Sequence, residues 1–418
     1  MKNGEFCRRT SCCTAVKGVL AAVLATALLT MSGCRRNDPD DGVHVYSNGT
    51  SAVMDMGEQT VNSASGNAEF YIPEGMVTDY YKMSELTDAE REIYDSAVND
   101  LGCLRESVPL EVDSTVLQKV LDIIRFEQLA YFHVSNREVK FNDATQQFDV
   151  KYKYRFTADE ISSMNIASER AAREIMSNIT SDMDDYDKLK YFHDYLVLNC
   201  ENDTESPYSD TIYGALVQKK ALCEGYAKAF SYLCNLAGIE NTIVTGEIND
   251  TKVMHMWNMV KLGGNWYHVD VTWDNPADAL HASYPDVILY QYFMVTDSVI
   301  KNNRLIWTYP AEPPKANGRN ENYFVREGAD INSEEEFFTV SQNAVLNAVK
   351  NHEQSAMVKF ASNDMYIAVT SRLLNEPDPA AFDPIRQQAK SNYGISINLQ
   401  WTDYYEQYRI LTYIIEYV

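Results

Sequence analysis

From residue 87 onward the apolar positions set up helices before they set up strands. In TDAEREIYDSAVNDL (87–101) and VLQKVLDIIRFEQLAYF (116–132) they recur every three or four residues, with Val116, Val120, Ile123 and Ile124 on one side of the second, so both segments are read as amphipathic helices. EVKFNDATQQFDVKYKYRF (138–156) changes period. Phe148, Val150, Tyr152, Tyr154 and Phe156 alternate with Asp149, Lys151, Lys153 and Arg155, the pattern of a strand that follows a turn at Asn142-Asp143. The helical period returns in ADEISSMNIASERAAREIMSNI (158–179) and DDYDKLKYFHDYLVLNC (184–200). In the latter Leu189, Phe192, His193 and Leu196 share a face, and His193 is read as a partly packed histidine.

After a polar loop at 207–211, Tyr226, Ala229, Phe230, Leu233 and Ala237 mark a further helix that Gly238 ends, which puts Cys223 in its first turn. IENTIVTGEI, VMHMWNMVKL and NWYHVDVTW follow as strands, the last two joined by Gly263-Gly264, a two-residue hairpin signal. That loop sets a register in which Leu262 faces Asn265, Trp257 faces Asp270 and His255 faces Thr272. With a period of two, His255, Trp257, Asp270 and Thr272 share one side, and His255 and Asp270 are diagonal neighbours roughly 7–8 Å apart. Beyond the connection PPKANGRNEN (313–322), helix-like EEEFFTVSQNAVLNAVKN and strand-like SAMVKFAS, MYIAVTS, GISINLQW and YRILTYIIEY predict a small α/β domain.

The start of the chain is different in kind. Lys2, Arg8, Arg9 and Lys17 precede the uncharged run GVLAAVLATALLTM (18–31), too short for a comfortable permanent membrane span. The run leads into MSGC, which resembles the lipobox of bacterial lipoproteins. On that resemblance residues 1–33 are a signal peptide, and Cys34 is lipidated and tethers the protein to the extracytoplasmic face of a bacterial membrane. Residues 34–78, rich in Asp, Asn, Ser and Gly, are read as a flexible tether. Removing the four basic residues and one acidic residue of 1–33 takes the formal charge from -24 to -27. Such a charge repels nucleic acid and anionic lipid, so no nucleic-acid partner is expected and the membrane is held through acyl chains.

The mature chain keeps Cys103, Cys200, Cys223 and Cys234, none in a CxxC pair, so neither a disulfide scaffold nor a structural zinc site is indicated. Cys234, on the apolar side of its helix, is read as a small buried hydrophobe. Cys223 differs: helix N-terminal N–H groups and a nearby imidazolium favour a thiolate there. If Cys223 is the nucleophile, any disulfide is expected to use the other three. A thiolate, an imidazole that takes and returns its proton, and a carboxylate that orients the imidazole make an acyl-transfer set. The Cys223 N–H is the first oxyanion donor, with Gln218 or Tyr213 as weak alternatives for the second.

LCEGYA (222–227), HMWN (255–258) and HVDVTWDNP (268–276) together resemble the transglutaminase-like superfamily, whose core order is Cys at a helix start, then His and Asp on successive strands. The resemblance implies a catalytic triad of Cys223, His255 and Asp270. It also implies an α+β, papain-related core over 201–312, between a mostly helical N-terminal region (79–200) and the C-terminal α/β domain (323–418). Trp257 and Trp273 either flank a substrate channel or belong to the core. His268 shares a face with Asp270 and either competes for its carboxylate, lines the cleft or is structural. The implied reaction is acyl transfer from a protein or peptide amide through a thioester, with hydrolysis by a cell-surface cysteine protease slightly ahead of transglutamination or deamidation. A lipid-anchored binding or assembly module without turnover is the reading from another class. No DxDxDG cluster occurs, so no metal or cofactor is inferred. The acyl acceptor, the natural substrate and the oligomeric state are not legible.

Overall fold

The computed structural model describes residues 45–46, 51–53, 81–102, 107–110, 113–129, 134–142, 147–275, 287–375, 380–402 and 408–418. The expected signal peptide, Cys34, Cys103 and Pro276 lie outside these.

In chain order the elements begin with β1 (Val45–Tyr46), β2 (Ser51–Val53), α1 (Asp88–Gly102), β3 (Ser107–Leu110), α2 (Ser114–Glu127), β4 (Val134–Asn142) and β5 (Gln147–Tyr154). Next come α3 (Ala158–Met176), α4 (Asp185–Asn199), β6 (Glu201–Asn202), β7 (Lys220–Ala221), α5 (Cys223–Leu236), β8 (Asn241–Ile248), β9 (Met254–Leu262) and β10 (Asn265–Val269). Then follow α6 (Val271–Asp274), β11 (Phe293–Val295), α7 (Asp297–Ile300), β12 (Arg304–Ile306), α8 (Tyr323–Arg326), β13 (Asp330–Ile331) and α9 (Phe337–Lys350). The chain closes with β14 (Ser355–Phe360), α10 (Asn363–Asn375), α11 (Asp383–Tyr393), β15 (Ile397–Thr402) and β16 (Ile410–Tyr417). The fold is α+β. Its central sheet has the order β11-β10-β9-β8-β12, with β10 antiparallel to β11 and β12 antiparallel to β8. Among the described residues no helix is long and apolar enough to cross a membrane.

Two compact units share the chain, the first comprising residues 1–183, 200–258 and 303–313 and the second 184–199, 259–302 and 314–418. In the first unit, Thr87 and Glu90 cap α1 reciprocally, as Thr157 and Glu160 cap α3. Tyr94, Leu101, Leu117, Val120 and Ile123 of the first two helices form one apolar cluster with Val150 and Tyr152 of β5. The alternation read along β5 is present, since Val150 and Tyr152 are buried while Lys151 and Lys153 are exposed. β4 and β5 pair from Val139↔Val150 to Asn142↔Gln147 in a sheet of order β1-β2-β4-β5-β3; the turn expected at Asn142-Asp143 runs outside the described residues. Helix α2 stops at Glu127 rather than running to 132, because Gln128 leaves helical geometry and its amide turns to the Tyr94 hydroxyl at 2.7 Å. A buried lysine ties this region to β8: Lys82 Nζ donates to Thr242 Oγ1 (2.9 Å) and to the Ile243 carbonyl, and burial lowers its pKa to about 8.

In the second unit Gly263 and Gly264 take φ of +57° and +79°, the left-handed pair that a two-residue hairpin requires and that L side chains resist. The C-terminal sheet has the order β13-β14-β16-β15, with α9 against it. One expected strand there is a helix instead. MYIAVTS lies within α10, where Tyr366, Val369 and Thr370 are buried at helical spacing while Ile367 and Ala368 face solvent. Its β-branched and aromatic residues favour a strand locally, and burial of one helical face overrides that preference.

Candidate active site

Cys223 is the first residue of α5 and only 2% exposed. The residue before it, Leu222, has an extended backbone and an apolar side chain that offers no cap to the first N–H groups of the helix. Gly225 permits the crowding at this turn: a Cβ there would lie 2.2 Å from the Ser209 carbonyl oxygen and 2.9 Å from Ala221 Cβ. Leu222 N–H donates to that same carbonyl at 2.8 Å.

The Cys223 sulfur is engaged in a disulfide, while Cys200 and Cys234 are free thiols. This corrects the expectation that a bridge would spare Cys223. All three sulfurs are buried; burial pushes the Cys200 thiol up to about 12 and that of Cys234 well above its ordinary value, whereas Cys223 alone of the three begins a helix. A sulfur at a helix N-terminus is the better exchange partner of the three.

Glu224 is buried beside the cysteine and doubly paired, with Arg125 Nη2 of α2 at 3.1 Å and Lys228 Nζ one turn on at 2.8 Å. Burial alone would raise its carboxyl, but Arg125 and Lys228 outweigh that cost and hold it at about 2. A carboxylate depressed in the folded state stabilises above its unfolded value, near 4.5, and loses that contribution as pH falls through about 2. Urea unfolding between pH 6 and pH 2 should therefore show stability falling below about pH 4.5. Glu224→Gln should lessen that slope and, by taking the carboxylate from partly buried Arg125 and buried Lys228, cost up to about 3–5 kcal/mol at neutral pH.

His255 lies in β9, 4% exposed, its ring stacked on Trp257 at 5.7 Å and 19°. Trp257 is a core residue rather than a channel wall: it is 1% exposed, the Arg304 guanidinium sits 5.8 Å from its ring centroid, and a side chain at Gly246 would strike its ring. Asn258, a residue the sequence reading did not single out, donates from Nδ2 to the Ala227 carbonyl at 2.9 Å and so ties the histidine strand to the cysteine helix.

Asp270 departs from the expected strand. β10 ends at Val269, and Asp270, fully buried, caps the one-turn helix α6, its Oδ1 accepting from Trp273 N–H at 3.2 Å. Thr272 is inside that turn, so the facing pair His255–Thr272 does not form. The reason is local: an aspartate offers the first free N–H of a turn an acceptor, and its own N–H goes to the Tyr292 carbonyl at 3.2 Å. Trp273 is half-buried and edge-on to Tyr292 at 5.7 Å.

Gln218 is exposed and donates to Tyr213 Oη at 2.8 Å, at the end of a π-helical turn (Gly214–Gln218) that Lys219 closes at φ +60°. His268 is fully buried, with Nε2 3.0 Å from Asp297 Oδ1, a structural pairing with a carboxylate other than Asp270. His193, read as partly packed, is fully buried between two carboxylates. Among the described residues no group of three or more His, Cys, Asp or Glu side chains is placed to hold a metal ion.

Residues 170–271 match the Transglutaminase-like superfamily. That span, about a quarter of the chain, contains Cys223, His255 and Asp270. Over 65 residues the chain is 37% identical to kyphoscoliosis peptidase of Homo sapiens and 35% identical to that of Mus musculus, in each case over 13% of this chain and 10% of the relative. The chain thus matches about a tenth of the length of these curated relatives. Solved structures similar to it include a putative cysteine protease from Cytophaga hutchinsonii (18% identity, TM-score 0.23, 30% of this chain and 53% of that one). Another is the crystal structure of a TGase (15% identity, TM-score 0.24, 39% and 48%). At such scores the assignment rests on the sequence match.

Proposed function

We propose that the protein is a cysteine acyl-transfer enzyme acting on protein or peptide amides, with hydrolysis favoured over transfer to an amine. The supporting observation is a buried cysteine at the uncapped start of α5 inside the matched domain, followed by a buried histidine and a buried aspartate in the order the superfamily uses. In this reading the Cys223 thiolate attacks the amide carbon, and first-turn N–H groups stabilise the oxyanion. His255 gives its proton to the departing amine or ammonia, leaving a thioester. Asp270 fixes the imidazole tautomer. Water, or a lysine amine, gives its proton back to His255 and takes the acyl group, restoring the thiolate.

The test is mass spectrometry of the reduced protein with a glutamine and peptide library and a primary-amine tag, beside Cys223→Ala. Amine incorporation that vanishes in the variant means transglutamination, new peptide termini mean proteolysis, and a gain of about 1 Da at glutamine means deamidation. The disulfide on Cys223 is the one observation favouring a non-catalytic binding module, and a reduced Cys223 that stays unreactive would decide for it.

The proposal includes export and lipid anchoring through Cys34, supported by the basic, apolar and MSGC order of the N-terminus. Mass spectrometry of the membrane-extracted protein is expected to find Cys34 as the mature N-terminus carrying acyl chains; a mature N-terminus elsewhere, or an unacylated Cys34, would refute the lipid anchor.

A further inference from the structure

Four residues beyond Asp270, Asp274 is fully buried, and the Tyr292 N–H donates to both of its oxygens at 2.9 and 3.2 Å. Asp274 Oδ2 also lies 3.1 Å from His193 Nε2, and the other ring nitrogen, Nδ1, is 2.9 Å from Asp194 Oδ1. The imidazole is stacked on Tyr290 at 5.4 Å and packed against Phe293 at 4.8 Å, with no exposed surface. A neutral imidazole has one donor and one acceptor, so between two ionised carboxylates only the imidazolium satisfies both contacts.

The charges around it support that state. Asp194 also accepts from Lys190 Nζ (2.8 Å) and Tyr290 Oη (3.0 Å), and Lys190 reaches Glu353 at 3.2 Å. Burial works against a charged His193, but the hydrogen bonds to Asp194 and Asp274 raise its pKa on balance. Burial pushes Asp274 up to about 6, with the like charge of Asp270 adding to the rise, so Asp274 is ionised at neutral pH.

All of this converges on α6. Asp274 N–H donates to the Asp270 carbonyl at 3.1 Å, Gln291 Nε2 donates to the Trp273 carbonyl at 3.0 Å, and Trp273 N–H holds the Asp270 carboxylate. The helix is a single turn, too short to hold its own shape without outside contacts. We propose that His193 is a positioning residue: as an imidazolium bonded to Asp274 it anchors the far end of α6 and thereby orients the Asp270 carboxylate at its start. The inference rests on the role proposed for Asp270. A histidine that merely fills the core would contribute to stability and leave the reactivity of the cysteine alone.

The test uses reduced full-length protein and the rate of Cys223 alkylation by iodoacetamide between pH 4 and pH 10, with peptide mapping and a thermal melt of each variant. In the wild type, alkylation at pH 6 that is lost in His255→Ala establishes the thiolate–imidazolium pair. His193→Gln and Asp274→Asn, the latter keeping its volume and an acceptor for Tyr292, are each expected to shift the thiolate profile about one unit upward, slowing alkylation about tenfold at pH values below the wild-type midpoint. Loss of the same His193 proton should appear in the wild type as an alkaline decline in melting temperature, because a raised histidine stabilises below 6.5 and ceases to do so as pH passes its folded value. A folded variant with the wild-type alkylation profile overturns the positioning role while leaving the cysteine enzyme intact. A wild-type Cys223 that titrates as an ordinary thiol, near 8.5, removes both.

Discussion

Cys223→Ala is expected to lower turnover by on the order of 10⁵–10⁶-fold with the fold retained, the loss seen when a nucleophile is deleted from a set that acts as a unit. The side chain is small and its neighbours are held by other means, Glu224 by Arg125 and Lys228, and Leu222 by the Ser209 carbonyl. In the reduced protein, where no disulfide is lost with it, removing the sulfur deletes the reacting atom without unpicking the turn that carries it. Asp270→Asn should cost less, about 10⁴-fold, because it leaves nucleophile and base in place and alters only the imidazole's orientation and charge stabilisation. Steady-state rates on whichever product the library screen reveals would check both. A ranking in which Asp270→Asn is as silent as a surface substitution would remove the aspartate from the mechanism.

The second large effect is redox control. With its sulfur in a disulfide, Cys223 can neither attack an amide nor react with an alkylator, so the oxidised protein should be inert toward both. A small-molecule thiol that attacks the disulfide and carries away one sulfur returns Cys223 as a thiolate, and activity should rise from background in step with thiol release. Selectivity follows from burial. Cys200, held at about 12, exposes about one thiolate per million molecules at pH 6, and Cys234 is pushed up as well, so brief iodoacetamide treatment at that pH should label Cys223 in preference to both. Labelling spread evenly over Cys200, Cys223 and Cys234 would contradict the special environment assigned to α5.

Much of this was legible from pattern. The helices from 87 to 199, the strand from 147, the Gly263-Gly264 hairpin and the start of α5 at Cys223 follow from period and turn chemistry, which are local properties. The failures are places where distant partners decide. MYIAVTS has strand-like residues, yet packing of Tyr366 and Val369 makes it helix. HVDVTW reads as continuous strand until the Tyr292 carbonyl and the Trp273 N–H claim Asp270. Arg125 and Glu224 are 99 positions apart and His193 and Asp274 are 81 apart, so no spacing rule joins them. A signal did exist for one of them: His193 is a polar residue on an otherwise apolar helix face, where a buried charge requires a partner.

The most direct test of the account is intact-mass analysis of the reduced protein, acid-quenched within seconds of mixing with a reactive peptide ester or glutamine peptide, followed by mapping of any adduct. An acyl group on Cys223 that is released by hydroxylamine and missing from Cys223→Ala is the predicted result. An acyl group carried by another residue, or product formed at undiminished rate by Cys223→Ala, would contradict it.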